Sequence, residues 1–565
     1  MIQTISTDIL VIGGGAAAAT AALEAAKSDV TVTMMDKGRV GLSGSTPLSG
    51  AAFAPYIETV PQSANPVSDQ THDSPELFIS DVLQNGRYMN DLELVQALAD
   101  EGALAVNDAL RIGVPFGLNS KGTINQRQAQ GHSFPRVCQA VGGGRALMQA
   151  LSQRLSEKSI KILERTVAIH LLQYKKRLTG IIAYDISTGK WLHVRCKAAV
   201  LAAGGAASLY RYSSGGNQAT GDAMALALDA GCRLANMEFI EFTLIPTLEG
   251  RPIGMGGFGQ FVARGAQLFN SNNKRFMSRY DPQRMELATK CLISRAVYEE
   301  IINDRGPIRL DLSQISQERW RDLCQKVPQL FKGRARIEGR QYFEKLCWTP
   351  GAHTVLGGII VDTQCQTDVL GLFAAGECMN GIHGAERLAG NALLECLVFG
   401  RRAGQSAVNY ASSTAISPSM DKLAIDKIAS LTSRLGNCSS LKRLGDLRTR
   451  LQQIMWDTSG VVRDRSGLEN GGKLLTELSK EFQDITSVNH HDLLKWLELK
   501  NLLTVGETVI LAAKERTESR GAHQRRDFPD ENDSEWFRLI MISKREGNFH
   551  IESFSLADGQ RRDRG

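Results

Sequence analysis

The sequence predicts an α/β protein organised around one βαβ unit, with an inserted domain and a helical C-terminal region. Three observations predict it. Residues Asp8 to Asp36 run as an apolar strand, a Gly13-Gly14-Gly15 turn, an alanine-rich helix and a second strand. A further buried strand, Ala199-Val200-Leu201, also runs into glycines at Gly204-Gly205, and the same kind of segment returns at His353 to Asp362 and Gly371 to Glu377. Between and after these lie stretches of different character: residues 237–350 are richer in Arg, Gln and Met, and residues from Ser417 onward are charged and helical in pattern. The expected units are therefore 1–236, 237–350, 351–410 and 417–565.

In the first unit, Ile9 to Ile12 is the strand, Ala16 to about Lys27 the helix, and Val30 to Met35 the second strand. Gly13 permits a sharp turn, Gly15 lets the backbone approach a pyrophosphate, and Ala18 lets helix and strand pack closely. The pyrophosphate then sits on the helix N-terminus at Ala16 and Ala17, where free N–H groups and the macrodipole favour an anion. Asp36, eighteen residues beyond Ala18, is placed to accept hydrogen bonds from a ribose, with Lys37 beside it. Glycine-alanine turns also serve ordinary tight packing. The strand, helix and acid at this spacing make dinucleotide binding the expectation.

Next come Gly41 to Thr46 and Gly50-Ala51, small and hydroxyl residues suited to lie against a ring system. Residues 74–155 are expected to be mostly helical, with apolar spacing in Leu94, Val95, Leu98, Leu104 and Leu110 and one odd turn from Gly131 to Arg136. From Ile160 to Leu201 the period shifts toward two, which predicts a β-meander through Val167. It ends at Ala202-Ala203-Gly204-Gly205. Thr220-Gly221-Asp222 opens a helix that Gly231 stops. Later come Gly381 to Asn391 with Leu393 just beyond, and one loop-like stretch, Glu518 to His523, within the helical tail.

Composition bounds the function classes. Hydrophobic content of 42% and charged content of 22% are ordinary for a globular protein. A net charge of +6 with no dense Lys/Arg stripe gives nucleic-acid binding little support. No stretch approaches the ~20 uncharged apolar residues of a membrane-spanning helix. The chain starts almost directly with its first strand and shows no signal peptide, so a cytoplasmic location is expected, with membrane association only through a partner. The ten cysteines are scattered singly, with no CxxC or His/Cys spacing for zinc or an iron–sulfur cluster. No bound metal is expected.

By Arg387 the motifs are familiar as a set. The chain resembles the flavoprotein family of succinate dehydrogenase, fumarate reductase and L-aspartate oxidase over nearly its whole length. The carrying residues are Gly13 to Asp36, Ala202 to Gly205, Thr220 to Asp222, His353 to Gly358, Gly371 to Glu377 and His383 to Asn391. Met455-Trp456, Gly460 to Arg463, Glu518 to His523 and Asp527-Phe528-Pro529 complete the set. The resemblance implies a Rossmann-type FAD-binding domain of α/β class, an inserted α+β capping domain and a C-terminal helical domain. It implies that Asp36 holds the adenosine ribose, that Ser43, Ser45, Thr46, Gly50 and Ala51 line the flavin, and that Asp222 and Glu377 bind FAD. It further implies that Lys37, Val167, Ala203, Gly204, Asn391 and Leu393 belong to the cofactor site, and that His353 and Arg387 grip a substrate carboxylate. Arginine suits that task because its planar fork binds a carboxylate bidentately and stays charged. The bland alternatives are an ion pair of Arg387 with Glu386, and a core histidine at His353.

Departures from the family are equally informative. Members with covalent FAD carry a histidine where this chain has Ser45, so noncovalent FAD is expected. Where the family continues toward His-Pro-Thr, this chain reads Ile240-Glu241-Phe242-Thr243-Leu244-Ile245-Pro246-Thr247. Lys290 stands at the family's proton-delivery arginine, followed by Cys291, and Val262-Ala263-Arg264-Gly265 stands where the family has Arg-Gly-Glu-Gly. Lys290, Arg264, His353 and Arg387 are thus expected in one anion-binding pocket for a small carboxylate or other small anion. No second strand–GxGxxG–helix unit exists for a nicotinamide coenzyme, so the electrons come from elsewhere. The leading expectation is hydride transfer between flavin and a small carboxylate substrate. Two further readings stand: a relative of the adenylylsulfate reductase α subunit, and a flavin-carrying electron-transfer subunit with a vestigial pocket, docked on an iron–sulfur partner.

Overall fold

The computed structural model describes residues 2–57, 73–119, 122–253, 257–415, 421–433, 435–436, 440–485 and 487–556. Ser417 and Cys438 lie outside them. Strand β1 (Ile2–Ile12), helix α1 (Ala16–Ala25) and β2 (Val32–Met35) form the first unit, with β1 and β2 parallel. After helices α2 (Leu92–Arg111) and α3 (Gly143–Ser156), β3 (Ile160–Leu163) adds to β2, and β4 (Thr166–Tyr174), β5 (Arg177–Asp185) and β6 (Lys190–Leu201) form the meander. Strand β6 returns parallel to β1, so the meander hangs from a parallel sheet.

The middle of the chain contributes α4 (Asp222–Asp229), β7 (Leu234–Ala235), β8 (Ile240–Leu248), β9 (Arg251–Pro252), β10 (Gln267–Phe269), α5 (Lys290–Ile302), β11 (Ile308–Asp311) and β12 (Cys347–Val355). Strands β8 to β12 form one antiparallel sheet in the order β9-β8-β12-β11-β10. An apolar cluster made only of residues between Leu244 and Trp348 packs beneath it, rich in aromatic edges such as Phe261 against Phe343 and Trp348. Strand β13 (Gly358–Ile359) pairs antiparallel with β7, and β14 (Leu372–Ala374) returns to the first layer, where it pairs parallel with the end of β6.

Helix α6 (Asn391–Ser412) lies against α1 in near backbone contact. A Cβ at Gly400 or Gly404 would overlap the carbonyl oxygen of Ala17 or Ala21. Small residues on both helices explain why α1 is alanine-rich. Helices α7 (Leu441–Ser459), α8 (Arg465–Gln483) and α9 (Leu493–Glu515) pack together outside, each with a stripe of buried leucines such as Leu451, Leu475 and Leu502.

One element departs from a purely helical tail. Strands β15 (Arg538–Arg545) and β16 (Asn548–Ser555) form a hairpin turned at Gly547, and β15 pairs with β7. The apolar, β-branched run Leu539-Ile540-Met541-Ile542 and the Glu546-Gly547 turn drive it, because burying Ile540 and Ile542 favours the strand over a fourth long helix. The chain's end thereby reaches the middle of the molecule. Buried Arg516 donates to Glu238 Oε1 at 2.7 Å and Glu518 Oε1 at 2.9 Å, and the Ala522 N–H donates to the Ala385 carbonyl at 2.8 Å. None of the described helices is long and apolar enough to cross a membrane.

Candidate active site and cofactor cleft

A cleft opens where β1 meets α1. Gly13 makes the turn with φ of +132°, and a Cβ there would overlap the Ala202 carbonyl oxygen. Gly15, Ala16 and Ala17 form the floor, with the Ala16 N–H donating to Thr46 Oγ1 at 3.3 Å. Asp36, Lys37, Ser43, Ser45, Val167, Ala203, Gly204, Asp222 and Glu377 also line it.

The cleft's charged residues are each held by the chain. Asp36 accepts the Gly38 N–H at 2.7 Å, and burial pushes its carboxyl pKa up. Lys37 pairs with Asp222 at 2.8 Å and with Glu498 of α9 at 3.0 Å. Asp222 also accepts from Asn501 at 2.9 Å, and its pKa is lowered by Lys37 against the cost of burial. Burial pushes Glu377 up to about 7. Gly50, Ala51, Asn391 and Leu393 lie off the cleft wall. The Gly50 carbonyl accepts from Gln139 at 2.9 Å and the Ala51 carbonyl from the Ala140 N–H at 3.0 Å. Asn391 is fully buried at the start of α6, and neither atom of its amide has a partner among the described residues. A buried amide without partners is costly, and the small-residue floor beside a free helix N-terminus is what a dinucleotide pyrophosphate requires. The residues present fit the cofactor that the sequence implies.

Beside the cleft lies a cluster of charged side chains drawn from four elements. Arg387 comes from the loop before α6, Lys290 opens α5 under the Thr289 cap, His353 sits on β12 and Glu241 on β8. Strands β8 and β12 are paired at Glu241 and Thr354, and the register breaks just after Glu241. The Glu241 carboxylate accepts from Arg387 Nη2 at 2.6 Å and from Lys290 Nζ at 3.3 Å, with His353 Nε2 at 3.9 Å. Arg387 and Lys290 hold Glu241 down at about 2 despite its burial. Burial pushes His353 down to about 3, so it is neutral, and its Nδ1 meets Ser214 Oγ at 2.7 Å. Burial and Arg387 lower the Lys290 pKa while Glu241 raises it. The Arg387 charge also reaches Glu377 in the cleft, so the two sites adjoin.

Residues 8–393 match the FAD binding domain family, and residues 448–558 match the fumarate reductase flavoprotein C-terminal family. One subunit of the CoM/CoB fumarate reductase of Methanothermobacter marburgensis is 32% identical, covering 95% of this chain and 97% of the relative. L-aspartate oxidase of Yersinia pestis is 30% identical over 93% and 96%. The FrdA chain of E. coli quinol fumarate reductase superposes with a TM-score of 0.87 at 25% identity, over 98% of this chain and 97% of that one. The chain belongs to the fumarate reductase, succinate dehydrogenase and L-aspartate oxidase flavoprotein family. It is an FAD-dependent oxidoreductase. Adenylylsulfate reductase of Archaeoglobus fulgidus, at 19% identity and a TM-score of 0.80, shares the fold alone. That alternative is the more distant one.

Within this flavoprotein, two expectations about the pocket change. Arg264 does not join the cluster: its guanidinium donates to Asp322 at 2.9 Å and to the Gln260 carbonyl at 2.9 Å. An arginine just beyond the short helical turn Phe258–Val262 finds an acid on the helix Gln317–Lys326, and that pairing holds it there. The partner of Arg387 is Glu241 rather than the adjacent Glu386. Glu241 itself was not singled out from the sequence. Its signal was an acid set between apolar residues in Phe239-Ile240-Glu241-Phe242, where burial demands a cationic partner. Gln218 was also missed; it lines the cleft and accepts the Gly44 N–H at 3.2 Å.

Proposed function

We propose that the Arg387, Lys290 and His353 cluster is the substrate site of this flavoprotein, and that it places a small carboxylate beside the flavin for hydride transfer at the adjacent carbon. The observation that supports it best is Arg387. It is 7% exposed, one nitrogen serves Glu241, and its Nε has no partner among the described residues. A guanidinium with a free edge in a buried pocket is suited to an incoming carboxylate.

FAD, when bound, supplies a two-electron carrier that gives or takes a hydride. In this reading Gly13, Gly15, Ala16 and Ala17 hold its pyrophosphate, Asp36 its ribose, and Ser43, Ser45 and Thr46 face its ring system. Arg387 orients the substrate carboxylate. Neutral His353, fixed by Ser214, offers a hydrogen bond without adding charge. Lys290 Nζ gives or takes the proton at the reacting carbon, and its contact with Glu241 keeps it charged in a buried place. A partner subunit for the other half-reaction is supported by the Methanothermobacter relative, which is named as one subunit of its fumarate reductase.

An anaerobic titration of the yellow protein with small carboxylates tests the reading. One of them is expected to perturb or bleach the flavin spectrum, and Arg387→Ala is expected to weaken that binding by ~2 to 5 kcal/mol, the scale for truncating one side of a buried charge pair. Unchanged affinity removes Arg387 from the site. Noncovalent attachment follows from Ser45, whose hydroxyl replaces the histidine that carries flavin in covalent members. Acid precipitation is expected to release yellow flavin into the supernatant, and colour kept in the pellet refutes it.

A further inference from the structure

The pocket proposed to take a substrate carboxylate already contains a carboxylate of its own. Glu241 is fully buried, both of its oxygens are engaged by cations, and it sits between paired strands that leave it no route to solvent. Its charged and titratable neighbours can be named from each packed element. Arg387 and Glu386 come from the loop before α6, Lys290 and Cys291 from α5, and His353 from β12. Only Arg387 and Lys290 are cationic. Burial keeps His353 neutral, pushes the Cys291 thiol far up, and pushes the Glu386 carboxyl up.

With Glu241 negative, the bonded trio of Arg387, Lys290 and Glu241 carries one net positive charge. An arginine and a lysine would otherwise balance a dianion. We propose that Glu241 sets the charge of the substrate this site accepts: it fills one of two anion seats, so that ligands of one net negative charge are selected over dianions. The inference deepens the substrate-site reading above and rests on it. Specificity here comes from a built-in repulsion, since a second carboxylate brought against Glu241 in a dry pocket is strongly disfavoured.

Fumarate and monomethyl fumarate have the same carbon frame and differ by one charge, so their relative binding isolates the effect. Flavin spectral titrations at pH 7 with the FAD-loaded protein are expected to show monomethyl fumarate binding at least tenfold more tightly than fumarate. Glu241→Gln, close in shape, is expected to tighten fumarate at least tenfold and erase or invert the preference. Glu241→Asp keeps the charge and is expected to keep the parent's order. A parent that prefers fumarate overturns the proposal, and that comparison decides alone if Glu241→Gln loses its flavin. A ratio unchanged in a flavin-loaded Glu241→Gln also overturns it, while leaving the site assignment standing. If neither ligand perturbs the flavin of the parent, and no other small carboxylate does, the substrate-site reading fails and this inference falls with it.

Discussion

Replacing Lys290 with methionine is expected to lower turnover at saturating ligand by ~10²- to 10⁴-fold, the range for losing a general acid or base, while leaving FAD content near the parent's. The expectation rests on position. Lys290 opens α5 and its side chain is 27% exposed, so it borders the space a ligand enters, and its Nζ is 3.3 Å from Glu241 Oε1. Methionine is similar in length, and the shorter 2.6 Å pair of Glu241 with Arg387 remains, so the pocket is not left with an unpaired acid. Burial and Arg387 lower the Lys290 pKa while Glu241 opposes them, which eases release of its proton. Lys290→Arg restores the residue common in the family and is expected to keep activity or shift preference toward fumarate and succinate. Turnover and ligand titration on the same preparations separate rate from binding. Parent-like turnover in Lys290→Met would move the proton role elsewhere, with His353 next to test. Arg264 is no longer a candidate, because Asp322 holds it.

Gly13→Val is expected to abolish the folded flavoprotein altogether. Gly13 has φ of +132°, a region that a β-branched residue does not enter, and its Cβ would occupy the space of the Ala202 carbonyl at the heart of the parallel sheet. Both faults strike backbone that cannot give way, which places the cost at ~4 kcal/mol or beyond. Gly15→Val separates fold from cofactor. Its backbone is ordinary, with φ of −88°, and the nearest atom to an added Cβ is Thr46 Oγ1 at 3.1 Å. That variant is expected to keep near-parent circular dichroism and lose its yellow colour, because the side chain projects where the pyrophosphate approaches. Flavin absorbance against protein absorbance, with a melting curve, distinguishes the two. A yellow Gly15→Val protein would show that the pyrophosphate does not approach there.

Much of this was legible because local signals agreed with the global fold. The strand, glycine turn and helix at Ile9 to Ala25 carry their own geometry, and the meander from Thr166 to Leu201 announces itself by period, although Ile160 to Leu163, expected in it, pairs parallel with β2 instead. What stayed hidden depends on pairing across the chain. Glu241 and Arg387 are 146 residues apart in sequence. Lys37 meets Glu498 only because α9 packs over the opening of α4. No local pattern encodes such meetings. Arg264 was misplaced for the same reason, since an unseen acid on a neighbouring helix outcompeted the pocket. The C-terminal hairpin was obscured by the charged residues flanking it, although its apolar run Leu539 to Ile542 and its Gly547 turn were present.

The reach of the chain's end into its middle has a consequence for biosynthesis. The Ala522 N–H braces Ala385, two residues before Arg387, a Cβ on Gly521 would overlap that same Ala385 carbonyl, and Glu498 completes the partner set of Lys37. During translation the first βαβ unit emerges early and has its local contacts at once. The braces of the Arg387 loop and of Lys37 that lie beyond Leu493 leave the ribosome long after it. A nascent chain stalled before Leu493 therefore lacks them, and a nonsense mutation at or before that point removes them as surely as a lesion in the cluster itself.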